Sequence, residues 1–312
     1  AISLSLFIMK IAITPSTFAA KSSAPLELLE SKGIEVIPNP FGRRFTREEI
    51  KALVQTDIDG ILAGLEPLDE DVLQHANQLK AIARVGIGMA NVDIPYAEAN
   101  GIKISNTPEG PTEAVAEMTL TAALTLVRDL IGRNEALHRR EWPKHVALGL
   151  KSLPVLFIGY GRIGRRTADL FRALGAEVLV HDPYLAEGSL TEGERAVSLE
   201  DGLRAARMVT LHSAGEDQIL GTAELNLLPD GSFLLNSARA GLVSEDAVCQ
   251  ALDSGKLAGV WFDAFWEEPY TGRLCGYPQA LLTPHACTYT EQCRLGMEMQ
   301  AAENLVHDLG LS

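Results

Sequence analysis

The chain has few cysteines and a shortage of positive charge. Its 312 residues include four cysteines, and none of them stands in a C-x-x-C pair or at zinc-ligand spacing. A metal site is therefore not predicted, and a reduced, cytoplasmic protein is the simplest interpretation. The 27 Lys and Arg residues against 41 Asp and Glu residues give a formal net charge of −14. That charge repels nucleic acid and anionic membrane surfaces, so neither is expected as a partner.

Long apolar runs are also missing. No stretch reaches the roughly 18 apolar residues that a membrane-spanning helix needs. Residues 1–8 are apolar, but they lack a preceding charged segment and run directly into Met9 and Lys10, which argues against a signal peptide. We expect Met9 to be the natural start. With 46% hydrophobic residues, the chain is long enough for one large or two ordinary soluble domains.

Short apolar runs alternate with amphipathic segments along the chain, a pattern typical of βα units. Five strand candidates interleave with helices up to residue 106, which predicts a parallel, doubly wound sheet. A long helix is predicted from Pro111 to about Arg139. A second βα series, residues 153–285, has continuous apolar strands, as expected where helices cover both faces of a sheet. With a last helix at about 289–308, the pattern predicts two domains.

A glycine-rich sequence lies at the start of the second series. Gly159-Tyr160-Gly161-Arg162-Ile163-Gly164 follows an apolar strand and opens an amphipathic helix. The first glycine permits a tight turn, the second lets a pyrophosphate approach the backbone, and the third permits close packing of the helix. Asp182 ends the next strand, where it would accept hydrogen bonds from a ribose and repel a 2′-phosphate. The pattern predicts NAD rather than NADP; S-adenosylmethionine is the competing ligand.

Three polar residues follow successive strands of the second series. Arg239 comes after SFLLNSA, Glu268 lies in the loop after LAGVWFDAF, and His285 ends ALLTP. Singly, these would be a surface cation, a loop carboxylate and a structural histidine. Together, at the edge where doubly wound sheets bind ligands, they offer the proton donor and the cation that hydride transfer to a keto acid requires.

From about Met9 onwards the chain resembles the D-isomer-specific 2-hydroxyacid dehydrogenase family, which includes 3-phosphoglycerate dehydrogenases and glyoxylate/hydroxypyruvate reductases. The resemblance rests on RVGIGMANVDI (84–94), NTPEGPTEAVAEMTL (106–120), IGYGRIG (158–164), NSARAGLVSEDA (236–247), DAFWEEP (263–269) and TPHACTYT (283–290). It implies an α/β fold, with a Rossmann-type doubly wound NAD-binding domain (107–284) inserted in a smaller flavodoxin-like α/β substrate-binding domain (1–106 and 285–312). It also implies a homodimer built largely around the nucleotide domains.

The family motifs imply a role for each catalytic candidate. His285 would be the general acid/base, and Glu268 would pair with it, favour its charged form and orient the ring. Arg239 would bridge the keto oxygen and the carboxylate of the substrate. The turn Val85-Gly86-Ile87-Gly88 would present backbone N–H groups to the same carboxylate, although such a turn can also be a simple strand–helix connection.

Three further residues are assigned to NAD by the same resemblance. Asp263 would hold the nicotinamide carboxamide, and His212 and Ala238 would belong to the cofactor site. Two departures from the family occur in this region: the chain reads His212-Ser-Ala-Gly where the family often has a nearby Pro, and Ala240 replaces a frequent Gly. Neither departure removes a catalytic group.

The function predicted is an NAD-dependent dehydrogenase that exchanges a hydride with a small D-2-hydroxy acid or 2-keto acid. The segment Gly60–Pro67 has no Arg or Lys where phosphoglycerate-using relatives often carry an Arg, and Glu66 would add repulsion if it faced the substrate. Arg84 is the remaining cation candidate. A small unphosphorylated acid, such as glyoxylate or hydroxypyruvate, is therefore favoured over 3-phosphohydroxypyruvate. 3-Phosphoglycerate dehydrogenase, a non-catalytic NAD-sensing corepressor and, more remotely, a methyltransferase are the alternatives.

Overall fold

The computed structural model describes residues 9–215 and 217–311. The chain divides into two compact units, Ala1–Pro111 with Tyr289–Ser312, and Thr112–Thr288. The boundaries predicted from sequence, 106/107 and 284/285, fall a few residues before these points. The expectation about residues 1–8 lies outside the described residues. Among the helices described, none is both long and apolar enough to cross a membrane.

Strands and helices alternate along most of the described chain. The strands are β1 (Lys10–Ile13), β2 (Glu35–Ile37), β3 (Gly60–Ala63), β4 (Ala81–Arg84), β5 (Lys103–Ser105), β6 (Pro154–Ile158), β7 (Glu177–His181), β8 (Glu194–Ala196), β9 (Met208–Leu211), β10 (Ser232–Asn236), β11 (Leu257–Phe262) and β12 (Ala280–Leu282). The helices are α1 (Ala24–Ser31), α2 (Arg47–Val54), α3 (Glu70–Leu73), α4 (Ile94–Ala99), α5 (Pro111–Val127), α6 (Leu130–His138), α7 (Arg162–Ala173), α8 (Leu199–Ala205), α9 (Thr222–Leu225), α10 (Glu245–Asp253) and α11 (Glu291–Asp308).

The first unit contains a parallel five-stranded sheet in the order β2-β1-β3-β4-β5. Helix α2 begins at a capping box, in which the Thr46 side chain accepts from Glu49 N and the Glu49 side chain accepts from Thr46 N. Helix α11 returns from the end of the chain and packs against β3, β4 and β5. It approaches closely because Gly60 has no side chain: an added Cβ would lie 3.1 Å from Leu305 Cδ1. The fold class predicted from sequence is confirmed.

The second unit contains a parallel seven-stranded sheet in the order β12-β11-β10-β9-β6-β7-β8. Its strands are buried on both faces: in β6, Leu156 and Ile158 belong to one apolar core, whereas Val155 and Phe157 belong to the other. This burial explains why the strands read as continuous apolar runs. The strand order reverses between β6 and β9, and such a reversal is where open α/β sheets bind ligands.

Two sequence expectations about these elements were wrong or incomplete. The helix predicted from Pro111 to about Arg139 is two helices, because Asp129 between α5 and α6 has a φ of +48°. That left-handed conformation, which Asp tolerates better than most residues, ends the first helix. The sequence analysis also missed β8, α8 and α9. With three, seven and four residues, they are too short to show a periodic pattern.

Candidate active site

The glycine-rich turn after β6 lies at the reversal of strand order. Gly159 has a φ of +91°, and an added Cβ would lie 2.6 Å from Ser213 N. A Cβ on Gly164 would collide with the carbonyl oxygen of Gly159. Gly161, in contrast, has no atom within 4 Å of its Cβ position. The turn therefore has a closed underside and one open face at the start of α7, which fits the approach of a diphosphate to backbone N–H groups.

Tyr160 anchors the turn from below. Its buried hydroxyl donates to the Glu194 carboxylate, which also accepts from Thr191 N at 2.8 Å. Burial and the hydrogen bond to Glu194 raise the pKa of Tyr160 well above its ordinary value, so the hydroxyl remains a donor. The Arg165 guanidinium lies over the ring, and Arg165 Nε donates to Tyr160 O at 3.0 Å. Arg162 opens α7, and Ile163 packs against the apolar core below it.

Asp182 follows β7 and contacts the same turn. Its Oδ2 accepts from Tyr160 N at 2.7 Å, and its Oδ1 accepts from Tyr184 N at 2.8 Å. The carboxylate is partly buried. Asp182 therefore joins the end of β7 to the glycine-rich turn, and each oxygen keeps a lone pair that can accept a ribose hydroxyl.

His212 and Ala238 lie beyond the neighbouring strands β9 and β10. Desolvation lowers the pKa of His212 to about 4, so this imidazole is neutral near pH 7. Its Nε2 lies 2.9 Å from Thr210 Oγ1, and its ring stacks on Phe157. Ala238 N donates to Asn236 Oδ1 at 3.0 Å. His212 thus supports the turn through its backbone beside Gly159 and packs its ring inward.

The structure brings two of the three catalytic candidates together. His285 Nδ1 lies 2.9 Å and 3.0 Å from the two carboxylate oxygens of Glu268, and both side chains are exposed. Phe265 N donates to Glu268 Oε1 at 3.2 Å and so fixes the carboxylate within its loop. Arg239, after β10, has an exposed side chain whose NH1 donates to Ala238 O at 2.8 Å. All three lie at the carboxyl ends of neighbouring strands of the second unit.

The glycine turn of the first unit follows β4. Val85 N donates to Ala63 O, and Gly86 N donates to Thr107 Oγ1 at 2.7 Å. Two of the four N–H groups predicted to face a carboxylate are therefore used within the unit. Within the part of the chain that the structure describes, the N–H groups of Ile87 and Gly88 donate to no acceptor. Gly86 is required here, because its φ is +141° and a Cβ would collide with the Arg84 guanidinium.

Arg84 and Glu66 lie near this turn and are both buried. Glu66 Oε1 accepts from Gly64 N at 2.9 Å and from the Thr14 hydroxyl, so the carboxylate is bound within the unit. Burial lowers the pKa of Arg84, while the negative charge of Glu66 opposes that shift. The condition under which Glu66 would repel a substrate, an exposed carboxylate, is therefore not met, and the buried carboxylate offsets the charge of Arg84.

Asp263 lies directly after β11 and is 1% exposed. Its Oδ1 accepts from Thr283 Oγ1 at 2.5 Å and from Ala286 N at 2.9 Å, and its Oδ2 accepts from Cys287 N at 3.0 Å. The carboxylate that was predicted to hold the nicotinamide carboxamide is thus bonded to the loop that carries His285.

Sequence reasoning missed Asn236 and Thr283. Asn236 Oδ1 accepts from Ala238 N, and Asn236 Nδ2 donates to Arg239 O at 2.9 Å. Asn236 ends β10, and Thr283 directly follows β12. A polar residue at the carboxyl end of an apolar strand is a pattern from which both could have been predicted.

Comparison with known proteins identifies the family. A sequence model described as the NAD binding domain of D-isomer specific 2-hydroxyacid dehydrogenases matches residues 120–287. A glyoxylate reductase of Aeropyrum pernix is 32% identical over 254 residues, which are 77% of this chain and 76% of that protein. The chain belongs to the D-isomer specific 2-hydroxyacid dehydrogenase family. Its cofactor is NAD, and the glycine-rich turn described above lies within the matched domain.

Two further proteins are similar to the chain, one in its whole fold and one over part of its length. The structure of TT0316 protein from Thermus thermophilus has a TM-score of 0.88 and 29% identity, and the match covers 97% of each chain. A D-3-phosphoglycerate dehydrogenase of Synechocystis sp. is 28% identical over 254 residues, 78% of this chain but 46% of that protein. The chain spans about half the length of the phosphoglycerate dehydrogenases that it matches.

Proposed function

We propose that the protein is an NAD-dependent dehydrogenase that interconverts small 2-keto acids and D-2-hydroxy acids. The observation that carries this proposal is the pairing of His285 Nδ1 with both carboxylate oxygens of Glu268, at 2.9 and 3.0 Å. Family membership, the NAD-binding turn and the exposed Arg239 on the same sheet edge support it. Bound NADH supplies the hydride, while the residues of this chain handle the proton and the carboxylate.

The proton is handled by His285 Nε2. An ionised carboxylate only accepts hydrogen bonds, so the ring nitrogen that faces Glu268 must carry a hydrogen. Nε2 then points away from the pair and is the nitrogen that gives its proton to the keto oxygen during reduction. In the oxidation direction, neutral Nε2 takes the proton of the substrate hydroxyl.

The substrate carboxylate is held by Arg239. A guanidinium offers parallel N–H groups that match a carboxylate in a forked pair, and the exposed side chain of Arg239 has such groups available. The same fork can reach an adjacent keto oxygen, because the two acceptors of a 2-keto acid are on neighbouring carbons. Arg239 therefore orients the carbonyl as well as binding the acid.

The substrate that the residues favour is not phosphorylated. Gly60–Pro67 carries no Arg or Lys, and the buried cation Arg84 is offset by the buried Glu66. A phosphate needs additional exposed Arg or Lys groups. The glyoxylate reductase match, which spans 76% of that relative, agrees with a short acid such as glyoxylate or hydroxypyruvate. 3-Phosphoglycerate oxidation remains the second candidate, because phosphoglycerate dehydrogenases are also relatives.

Steady-state kinetics with NADH decide between these substrates. We expect kcat/KM for glyoxylate or hydroxypyruvate to exceed that for 3-phosphohydroxypyruvate. A preference of more than about tenfold for the phosphate ester, worth about 1.4 kcal/mol of transition-state binding, would establish the second candidate instead. NADH binding without reduction of any keto acid would favour the sensor class over the enzyme.

We further propose a homodimer in the cytoplasm. Helix α6 and the segment after it expose apolar side chains, and Trp142 is 74% exposed. The exposed set includes Leu130, Ile131, Leu137, Trp142 and Val146. A second copy would cover this surface, since exposed apolar patches mark association sites. Sedimentation should give a dimer that Ile131→Glu converts to monomer; a wild-type monomer at micromolar concentration would contradict the proposal.

The proposed location in the cytoplasm rests on the cysteines. All four are unpaired, which agrees with a reducing compartment.

A further inference from the structure

Three neighbouring strands of the second unit end in polar residues that connect to one another. Asn236 ends β10, Asp263 follows β11 and Thr283 follows β12. Asp263 N donates to Asn236 O at 3.0 Å, and Thr283 Oγ1 donates to Asp263 Oδ1. Asn236 and Asp263 are buried, so this chain of hydrogen bonds lies below the edge that carries Arg239 and His285.

The Asp263 carboxylate is the centre of this network. Besides the Thr283 hydroxyl, it accepts the backbone N–H groups of Ala286 and Cys287, which are the two residues directly after His285. Trp261 Nε1 donates to Thr283 Oγ1 at 3.0 Å and fixes that hydroxyl in turn. Successive N–H groups that converge on one anion form a stable concave turn. The carboxylate therefore organises the loop from within the protein.

The loop needs such an anchor because His285 has a φ of +52°. A non-glycine residue in the left-handed region carries backbone strain, and such strain persists where surrounding contacts fix the conformation. The contacts here are the two N–H groups bonded to Asp263 and the bond of about 2.9 Å from His285 N to Thr283 O. This conformation accompanies the approach of the imidazole to Glu268.

The thiol of Cys287 is also close to this carboxylate. Burial, together with the hydrogen bond and negative charge of Asp263, raises the pKa of Cys287 well above its usual range. The thiol therefore stays protonated and adds no second negative charge to the anchor. Every group that faces the Asp263 carboxylate in these contacts is a hydrogen-bond donor, as a buried anion requires.

We propose that Asp263 is a positioning residue for His285. It holds residues 283–287 in the one backbone conformation that directs the imidazole Nδ1 to Glu268 and leaves Nε2 available to the keto oxygen. This inference rests on the proposed function and deepens it. It differs from the role that the family motifs imply for Asp263, which is to hold the nicotinamide carboxamide, and the NADH dissociation constant separates the two roles.

The first test is a double-mutant cycle between Asp263→Asn and His285→Ala. Asp263→Asn keeps the size of the side chain but places an amide N–H₂ against a loop N–H donor. Displacing the general acid by about 1 Å should lower kcat for keto acid reduction roughly 100-fold, with an unchanged NADH dissociation constant by calorimetry. In the His285→Ala background the same change should have no further effect on the residual rate, because Asp263 acts through His285.

Other results of the cycle overturn the proposal. A weaker NADH dissociation constant with unchanged kcat would assign Asp263 to the nicotinamide carboxamide. Full additivity of the two substitutions would also contradict a role through His285. The matched control is Asp59→Asn, which removes a buried carboxylate of the first unit that accepts from Lys10 N and Lys80 Nζ. It should lower the melting temperature without changing kcat.

Thr283→Val keeps the proposal testable if Asp263→Asn does not fold. It removes one donor to the carboxylate and retains the volume of the side chain. We expect a kcat reduced about tenfold with unchanged NADH affinity, and no effect in the His285→Ala background. An unchanged kcat in Thr283→Val overturns the proposal. If wild-type protein binds NADH but reduces no keto acid, the proposed function itself fails. If wild-type protein is active and Asp263→Asn leaves kcat unchanged, only the positioning role of Asp263 fails.

Discussion

His285 and Glu268 lie 17 residues apart in sequence, yet Nδ1 of the imidazole is 2.9 and 3.0 Å from the two carboxylate oxygens. The parallel sheet produces this pairing, because β11 and β12 are neighbours and their carboxyl ends meet at one edge. One ring nitrogen is thereby bound to a carboxylate. The other nitrogen is outside this pair and, under the proposed function, exchanges its proton with the substrate.

Removing either member of the pair should lower turnover without removing the cofactor. We expect His285→Ala to reduce kcat by a factor of about 10² to 10⁴, which is the usual contribution of a general acid to the rate. Glu268→Gln should reduce kcat at least about tenfold, since an amide can donate as well as accept and no longer fixes which nitrogen carries the hydrogen. Steady-state rates and calorimetric NADH titration measure both effects.

The neighbouring carboxylate provides the control for this pair. Glu267→Gln, an exposed side chain in the same loop, should leave kcat within about twofold of wild type. Loss of NADH binding in His285→Ala would show that the histidine is structural.

Asp182 should determine the preference for NADH over NADPH. Asp182→Asn retains an acceptor for Tyr160 N and removes the negative charge that would oppose a 2′-phosphate. The ratio of kcat/KM values for NADH and NADPH should fall at least about tenfold, equivalent to about 1.4 kcal/mol. A wild-type protein that prefers NADPH would refute the role given to Asp182.

Two glycines of the dinucleotide turn should respond differently to an added methyl group. Gly159→Ala should destabilise the fold by about 2 kcal/mol or more, because φ is +91° and the new Cβ would lie 2.6 Å from Ser213 N. Gly161→Ala has open space and should unfold nearly as wild type does, but its methyl group would stand where the diphosphate approaches. Urea unfolding and NADH titration separate the two effects. Equal NADH affinity in Gly161→Ala would place the diphosphate elsewhere.

His212 should make the protein less stable in mild acid. Its folded-state pKa, about 4, lies below the ordinary value of 6.5, so its stabilising contribution is complete above 6.5 and is lost as pH falls toward 4. The loss is about 3 kcal/mol at most. Urea unfolding should show the free energy of unfolding of the wild type falling across this pH range. In His212→Asn the free energy of unfolding should fall less. The exposed His307→Asn serves as control, and an identical decline in His212→Asn would disprove the desolvated, neutral imidazole.

The sequence was informative where residues act through local patterns. The apolar runs predicted both parallel sheets, and the glycine spacing predicted the glycine-rich turn between β6 and α7. Strand-end positions were sufficient to nominate Glu268 and His285. A left-handed Asp129 could not be recognised from sequence, because its effect depends on one backbone angle within an otherwise helical pattern.

Contacts between distant segments were beyond the sequence pattern. Sequence reasoning did not find the hydrogen bonds from Ala286 and Cys287 to Asp263, because they depend on how the loop after β12 folds back. The sequence also did not indicate that the Glu66 carboxylate is buried and accepts hydrogen bonds from Thr14 and Gly64. Such side-chain partners are set by tertiary packing and not by periodicity or spacing.

The central claim is hydride exchange between NADH and a 2-keto acid with His285 as proton donor, and isotope transfer tests it most directly. Wild-type protein should be incubated with NADH deuterated at the transferable position of C4 and with pyruvate or hydroxypyruvate, and the product analysed by mass and by chirality. We predict a D-2-hydroxy acid with deuterium at C2, and a strongly reduced yield with His285→Ala. Consumption of no keto acid, or a product without the label, would contradict the account.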